Sequence, residues 1–295
     1  SQMNNMGLGL YNSNEEYKNI VDLAFEENSQ LKDIIFSEDN PLINDTTYSQ
    51  LAIYSNQIGI YNLIKDKLEG HEVGFAGFSL GEYTALTCAG VFDYEFGVQV
   101  INSRSIAMAS LKDSGTMYAV IGVVKSELEE IVKTINEANG TNIEFANSNT
   151  EKQQVLAGDA EDFDKVMEQL KETSIRKIVQ LKVSGAFHTS RFNEVADSFI
   201  EPLDSQNFNK PNKEVYLNVT GRKYEGQEMP AYLKEHMVNG VNFYQEVKQM
   251  IADGYDTFIE IGEVSVLAAM VKSVDRSLNI IHIKDEESFE KLGEL

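Results

Sequence analysis

Apolar positions recur at three- and four-residue steps over two early stretches, roughly 14–35 and 46–69, so both are expected to be helices. In the second, Leu51, Tyr54, Ile58, Tyr61 and Ile64 carry the repeat. A short apolar strand is expected over Val73–Phe78, then the turn Ser79-Leu80-Gly81, a helix through TALTCAG and another over about 95–111. The rhythm then changes. Residues 117–124 (MYAVIGVV), 142–147 (NIEFAN), 153–158 (QQVLAG) and 176–183 (RKIVQLKV) read as strands, with helices over 125–139 and 159–172 between them. That order, β-α-β-β-α-β, is the signature of a ferredoxin-like unit of about 70 residues. On either side of it helices alternate with short apolar strands such as VYLNV, DTFIEI and NIIHI, which predicts a parallel sheet. The expected fold class is α/β: a larger parallel-sheet domain from 1–112 and 183–295, interrupted by a small α+β insert at 113–182.

Composition narrows the function. The 295 residues hold 25 basic against 47 acidic side chains, a net charge of −22. Nucleic acids and anionic membranes want clustered Lys and Arg, so neither is an expected partner. The single cysteine, Cys88, cannot form an internal disulfide. No apolar run approaches the roughly 20 residues of a membrane span. The first twenty residues are polar and lack a signal-peptide core, so a cytoplasmic location is expected. Four scattered histidines and one cysteine offer no metal-ligand spacing, and no metal or cofactor is expected.

The chemistry concentrates at Gly77-Phe78-Ser79-Leu80-Gly81, a G-x-S-x-G between an expected strand and an expected helix. Glycines flank a serine held in a tight, strained turn, where side chains on both sides would collide. The turn lifts the hydroxyl clear and points the first N–H groups of the helix, above all that of Leu80, at any oxyanion formed there. An ordinary serine cap on a glycine-rich turn is the competing reading.

A nucleophilic serine needs a base. Among the four histidines, His71 lies in a Gly-rich loop, His282 in the apolar strand IIHIK, and His236 in LKEHMV without a motif around it. His188, in VSGAFHTS, stands where the chain returns from the insert to the large domain and is the favoured base. Glu260 in FIEIGE could be a third member, although acids at strand ends are so common in this chain that a structural or solvated role is the better reading. A backbone carbonyl can also orient an imidazole. Arg104 lies among Ile101, Ile106, Ala107 and Met108. It either snorkels to solvent, pairs with an acid, or grips a substrate carboxylate with its guanidinium fork.

GFSLGEYTALTCAGVFDYEFGVQVINSRSIAM resembles the nucleophile segment of malonyl-CoA:acyl carrier protein transacylases, which carry GHSLGEY followed on the next helix by an RG-x-x-M segment. The resemblance continues through FANSNTEKQQVLAG, VSGAFHTSRF, LNVTG, LKEHMVNGVNF and IEIGEVSVLAAMVK, in order over essentially the whole chain. It implies a hydrolase-like parallel-sheet domain with the small ferredoxin-like subdomain inserted. It implies Ser79 as nucleophile, His188 as base, the Leu80 N–H as an oxyanion donor and Arg104 as the bidentate partner of the malonyl carboxylate. Met108 would line the same pocket. The main-chain carbonyl of His236 would orient His188, which makes Glu260 unnecessary. Phe187, in GAFH, resembles the malonyl-selective form of that motif, whose bulk crowds a branched α-carbon.

The chain departs from the family pattern at four places. Phe78 replaces a histidine in the substrate pocket, Ser105 replaces a glycine, and Gly262-Glu263-Val264 stands for G-P-G. The start, SQMNNMGLGLY, matches only the tail of the family's GQGSQ-x-x-M-G segment, and truncation of the sequence is the expected reason. The expected function is ping-pong transfer of malonyl from malonyl-CoA to the phosphopantetheine thiol of acyl carrier protein, in fatty-acid or polyketide synthesis. The alternatives are an acyl hydrolase of the same fold and a catalytically silent docking subunit. Arg176, Lys177 and Lys182 are candidates for meeting an acidic carrier protein. A monomer is compatible with the sequence, which does not specify the oligomeric state.

Overall fold

The computed structural model describes residues 2–111 and 115–295. The expected domain boundary at 112/113 lies outside the described residues. Nine strands are present among them: β1 (Gly74–Phe75), β2 (Thr116–Ile121), β3 (Glu144–Thr150), β4 (Gln153–Gly158), β5 (Lys177–Gln180), β6 (Glu214–Leu217), β7 (Arg222–Lys223), β8 (Thr257–Ile261) and β9 (Asn279–Ile283).

The β-α-β-β-α-β unit forms one antiparallel sheet in the order β3-β4-β2-β5. Alternation along β2 sends Tyr118 and Val120 toward the helices Lys125–Asn139 and Ala160–Lys171, where they meet Leu128, Val132, Phe163 and Val166. Met117 points the other way and packs with Ala146, Val155, Ala157 and Ala186, beside Phe187. The small sheet therefore rests on the segment that leads into His188.

The large unit is organised around the helix Thr46–Ile64, packed against Glu15–Glu27 and Tyr94–Ser110. The stripe read from the sequence understates its burial: Ser49, Gln50, Ser55 and Asn56 are buried along with the apolar set. A helix covered on all sides must hydrogen-bond its polar side chains internally, and Asn56 Oδ1 accepts from the Tyr17 hydroxyl at 2.6 Å. The helix expected over 14–35 is divided into Glu15–Glu27 and Leu31–Ile35, because Asn28 is extended and its side chain accepts from the Gln30 N–H.

The parallel strands form two groups instead of one continuous sheet. β1 pairs in parallel with β6, which carries β7 antiparallel, and β8 pairs in parallel with β9. No strand among the described residues links the groups. Apolar runs of two to five residues mark strands but carry no record of their neighbours. The two units are stitched where Val241 N–H donates to the Ala146 carbonyl and Ser148 N–H donates to the Val241 carbonyl, both at 2.8 Å.

Candidate active site

The chain runs from β1 through Gly77 into the helix Leu80–Cys88, with Ser79 at its N-cap. Ser79 has φ 53°, a positive value outside the ordinary range for an L-residue and sustained only where the surroundings impose it. Gly77 explains the glycine requirement: a Cβ there would lie 2.0 Å from the Gly81 backbone. Leu80 opens the helix, and its N–H makes no turn or capping bond among the described residues. It is thus available to a negative oxygen at the helix N-terminus.

Ser79 Oγ lies 2.6 Å from His188 Nε2, across 109 residues of sequence. His188 Nδ1 lies 3.0 Å from the main-chain carbonyl of His236. A carbonyl can only accept, so Nδ1 carries the proton and Nε2 keeps its lone pair for the serine hydroxyl. His188 too has a positive φ, 60°. Burial, then the nearby Arg104 charge, lower its pKa to about 4, so the imidazole is neutral and basic at neutral pH.

Arg104 is 2% exposed, on the inner side of Tyr94–Ser110. Its Nη1 donates to Gln50 Oε1, and its Cζ stands 5.0 Å from the centre of the Tyr83 ring. Nε and Nη2 are buried with no partner among the described residues. At this burial the guanidinium does not reach solvent, and among the described residues it pairs with no acid, which leaves two donor nitrogens for an acceptor. Met108 is buried beside it, its sulfur 3.5 Å from Gln50 Nε2.

The other candidates divide clearly. Phe187 is half-buried against Phe192, with ring centres 5.5 Å apart. Phe78 packs on Phe243 at 5.5 Å within an apolar cluster. Ser105 is buried and bonds its own helix at the Asn102 carbonyl. Glu260 accepts from Ser265 Oγ and from the N–H groups of Val266, Leu267 and Ala268, so it caps the helix Ala268–Val274 and takes no part in the dyad. His282 Nε2 donates to the Gly262 carbonyl at 2.7 Å, and His71 is exposed. In that loop Glu263 accepts from the Gly7 N–H.

Sequence reading missed Gln50, Glu82 and Asn218. Glu82 is fully buried in the first turn of the helix Leu80–Cys88, just after the Gly77–Gly81 elbow, where desolvation pushes its pKa up to about 8. His236 is buried and held well below the ordinary imidazole range by desolvation, so its 3.8 Å approach to Glu82 joins two neutral groups. The GEY and LNV segments containing Glu82 and Asn218 were visible, but nothing in their spacing shows that they meet.

Residues 1–293 match the acyl transferase domain family. The chain is 32% identical to the malonyl CoA-acyl carrier protein transacylase of Bacillus subtilis (strain 168), over 98% of this chain and 92% of that one. It superposes with a TM-score of 0.90 on the malonyl CoA-acyl carrier protein transacylase of Clostridium perfringens Atcc 13124, at 30% identity over 99% and 93% of the two chains. A chain in the structure of a type II PKS acyl-carrier protein in complex with its malonyl-transacylase shares the fold at a TM-score of 0.88 and 24% identity, over 99% and 96% of the two chains. With the Ser79–His188 pair and the buried Arg104 guanidinium, and with this likeness over nearly its full length, the chain belongs to the malonyl CoA-acyl carrier protein transacylase family of acyltransferases.

Proposed function

We propose that this enzyme moves a malonyl group from malonyl-CoA to the phosphopantetheine thiol of an acyl carrier protein through an ester on Ser79. The observation that carries the reading is Arg104, a buried cation with two unpaired N–H-bearing nitrogens near the Ser79–His188 pair. Its charge reaches His188, so a carboxylate bound to it lies within range of the reacting atoms.

In the first half-reaction His188 Nε2 takes the hydroxyl proton as Ser79 Oγ bonds to the thioester carbonyl carbon. The oxyanion of the tetrahedral intermediate accepts from the Leu80 N–H. Its collapse breaks the carbon–sulfur bond, and His188 returns the proton to the departing CoA sulfur. In the second, the carrier thiol gives its proton to His188 and attacks the ester, and Ser79 recovers the proton as it leaves. Arg104 selects a dicarboxylic acyl group because an acetyl group leaves its nitrogens unpaired. Phe187 narrows the pocket against a branched α-carbon. The scheme uses only the thiols of the two substrates and invokes no resident cofactor.

We assign catalysis to 1–112 with 183–295, and the small ferredoxin-like subdomain to 113–182, in the cytoplasm. Among the described residues no helix is long and apolar enough to cross a membrane. Arg176, Lys177 and Lys182 are exposed along β5, the sheet-edge strand that leads toward His188, and we place the acidic carrier there.

Intact mass and peptide mapping after incubation with malonyl-CoA test the assignment. Malonyl on Ser79, discharged by holo-carrier protein and absent from Ser79→Ala, is expected. A Ser79→Ala protein that loads equally overturns it, and discharge to water at the same rate with and without carrier makes the enzyme a hydrolase.

A further inference from the structure

Asn218 follows β6 directly, is 1% exposed, and has every polar atom engaged. Its Oδ1 accepts from the Ser79 N–H at 2.8 Å and from His236 Nε2 at 3.1 Å. Its Nδ2 donates to the Gly77 carbonyl at 2.6 Å and to Glu246 Oε2 at 2.9 Å. Its own N–H donates to Glu82 Oε2 at 2.5 Å, and its carbonyl accepts from Asn242 N–H at 2.8 Å and Asn242 Nδ2 at 3.1 Å.

The side-chain amide makes the two bonds to Gly77 and Ser79 that a neighbouring strand would make, spanning the strained turn from outside. The same Oδ1 fixes the His236 imidazole, and the His236 carbonyl holds His188. Nucleophile and base come from segments 109 residues apart, and Asn218 bonds to the peptide of one and to the support of the other. Only a primary amide offers acceptor and donor on one planar end: a carboxylate has no donor and an alkyl group has neither. Buried Glu82 and Glu246 accept its remaining N–H bonds and fix its plane.

We infer that Asn218 is the positioning residue that sets Ser79 and His188 in register for proton transfer. It touches no substrate atom and acts through the elbow peptide and through His236. Arg104 makes no bond to it, so acyl-donor binding is independent of it.

The inference rests on the acyl-serine reading for the identity of the reacting pair. Its test therefore uses a fluorophosphonate probe, which reports serine activation without a malonyl group. The labelling rate of Ser79 is compared in the wild type, Asn218→Ala and Asn218→Asp, with Ser79→Ala as the blank, alongside kcat and KM for malonyl-CoA. A misplacement on the order of 1 Å costs about 100-fold in rate, so Asn218→Ala should label about 100-fold more slowly, with KM within about 3-fold of the wild type. Asn218→Asp keeps the shape and an acceptor but cannot donate to both the Gly77 carbonyl and Glu246, and should lose at least about 10-fold; it decides the question if the alanine variant fails to fold. A cooperatively folded variant that labels within about 3-fold of the wild type, or a kcat loss matched by an equal rise in KM, overturns the inference. A wild type that labels but takes no malonyl overturns the proposed function and leaves the comparison among variants intact. A wild type that does not label overturns the Ser79–His188 pairing and this inference with it.

Discussion

Replacing Arg104 with methionine removes the guanidinium and leaves an apolar chain of similar length in the same space. In the native protein Nη1 is committed to Gln50, the ring of Tyr83 faces the guanidinium, and Nε and Nη2 are unpaired at 2% exposure. A malonyl carboxylate can therefore gain two charge-assisted hydrogen bonds away from water, each about 1.5–3 kcal/mol. Taking the lower figure for both gives about 3 kcal/mol, or about 100-fold in kcat/KM. Acetyl has no group to lose. Arg104→Met should thus lower malonyl loading of Ser79 by at least about 100-fold while acetyl loading stays within about 3-fold of the wild type. The assay is time-resolved intact mass with each thioester in turn. A second consequence separates this from damage to the fold: a lone buried cation is costly, so the variant should melt no lower than the wild type. Equal losses with the two thioesters, or an unchanged malonyl preference, would refute the clamp.

The pH dependence follows from His188. Its pKa is lowered to about 4, so the base is neutral above that value and protonated below it. Loading of the free enzyme should be level through neutral pH and fall by half near pH 4, and a midpoint near 6.5 contradicts the burial argument. In Arg104→Met the lost positive charge should move that midpoint upward. Gly77→Ala places a Cβ against the Gly81 backbone, which cannot yield as a side chain would. Overpacking of this kind costs about 1–3 kcal/mol, and both the melting temperature and Ser79 loading should drop. Charge reversal at Lys177 and Lys182 should slow discharge to the carrier at low salt, leave loading from malonyl-CoA unchanged, and lose its effect as salt rises. An equal slowing of both half-reactions argues against docking along β5.

The sequence by itself determined what is local. Periodicity marked the helices and the β-α-β-β-α-β unit because backbone geometry repeats every 3.6 or 2 residues, whatever lies across the core. The elbow was legible for the same reason: Gly77, Ser79 and Gly81 meet their steric requirement within one turn. The family resemblance pointed further, to His188, Arg104 and the His236 carbonyl. Tertiary structure alone decided who meets whom. It separated the parallel strands into two groups, because runs of two to five residues do not encode their neighbours. It turned Glu260 into a helix cap and brought Gln50 across 54 residues to Arg104. It also set Asn218 against the peptide of Ser79, 139 residues earlier in the chain. A buried polar group must find partners wherever the fold supplies them, and those partners lie too far apart in sequence for any spacing to announce them.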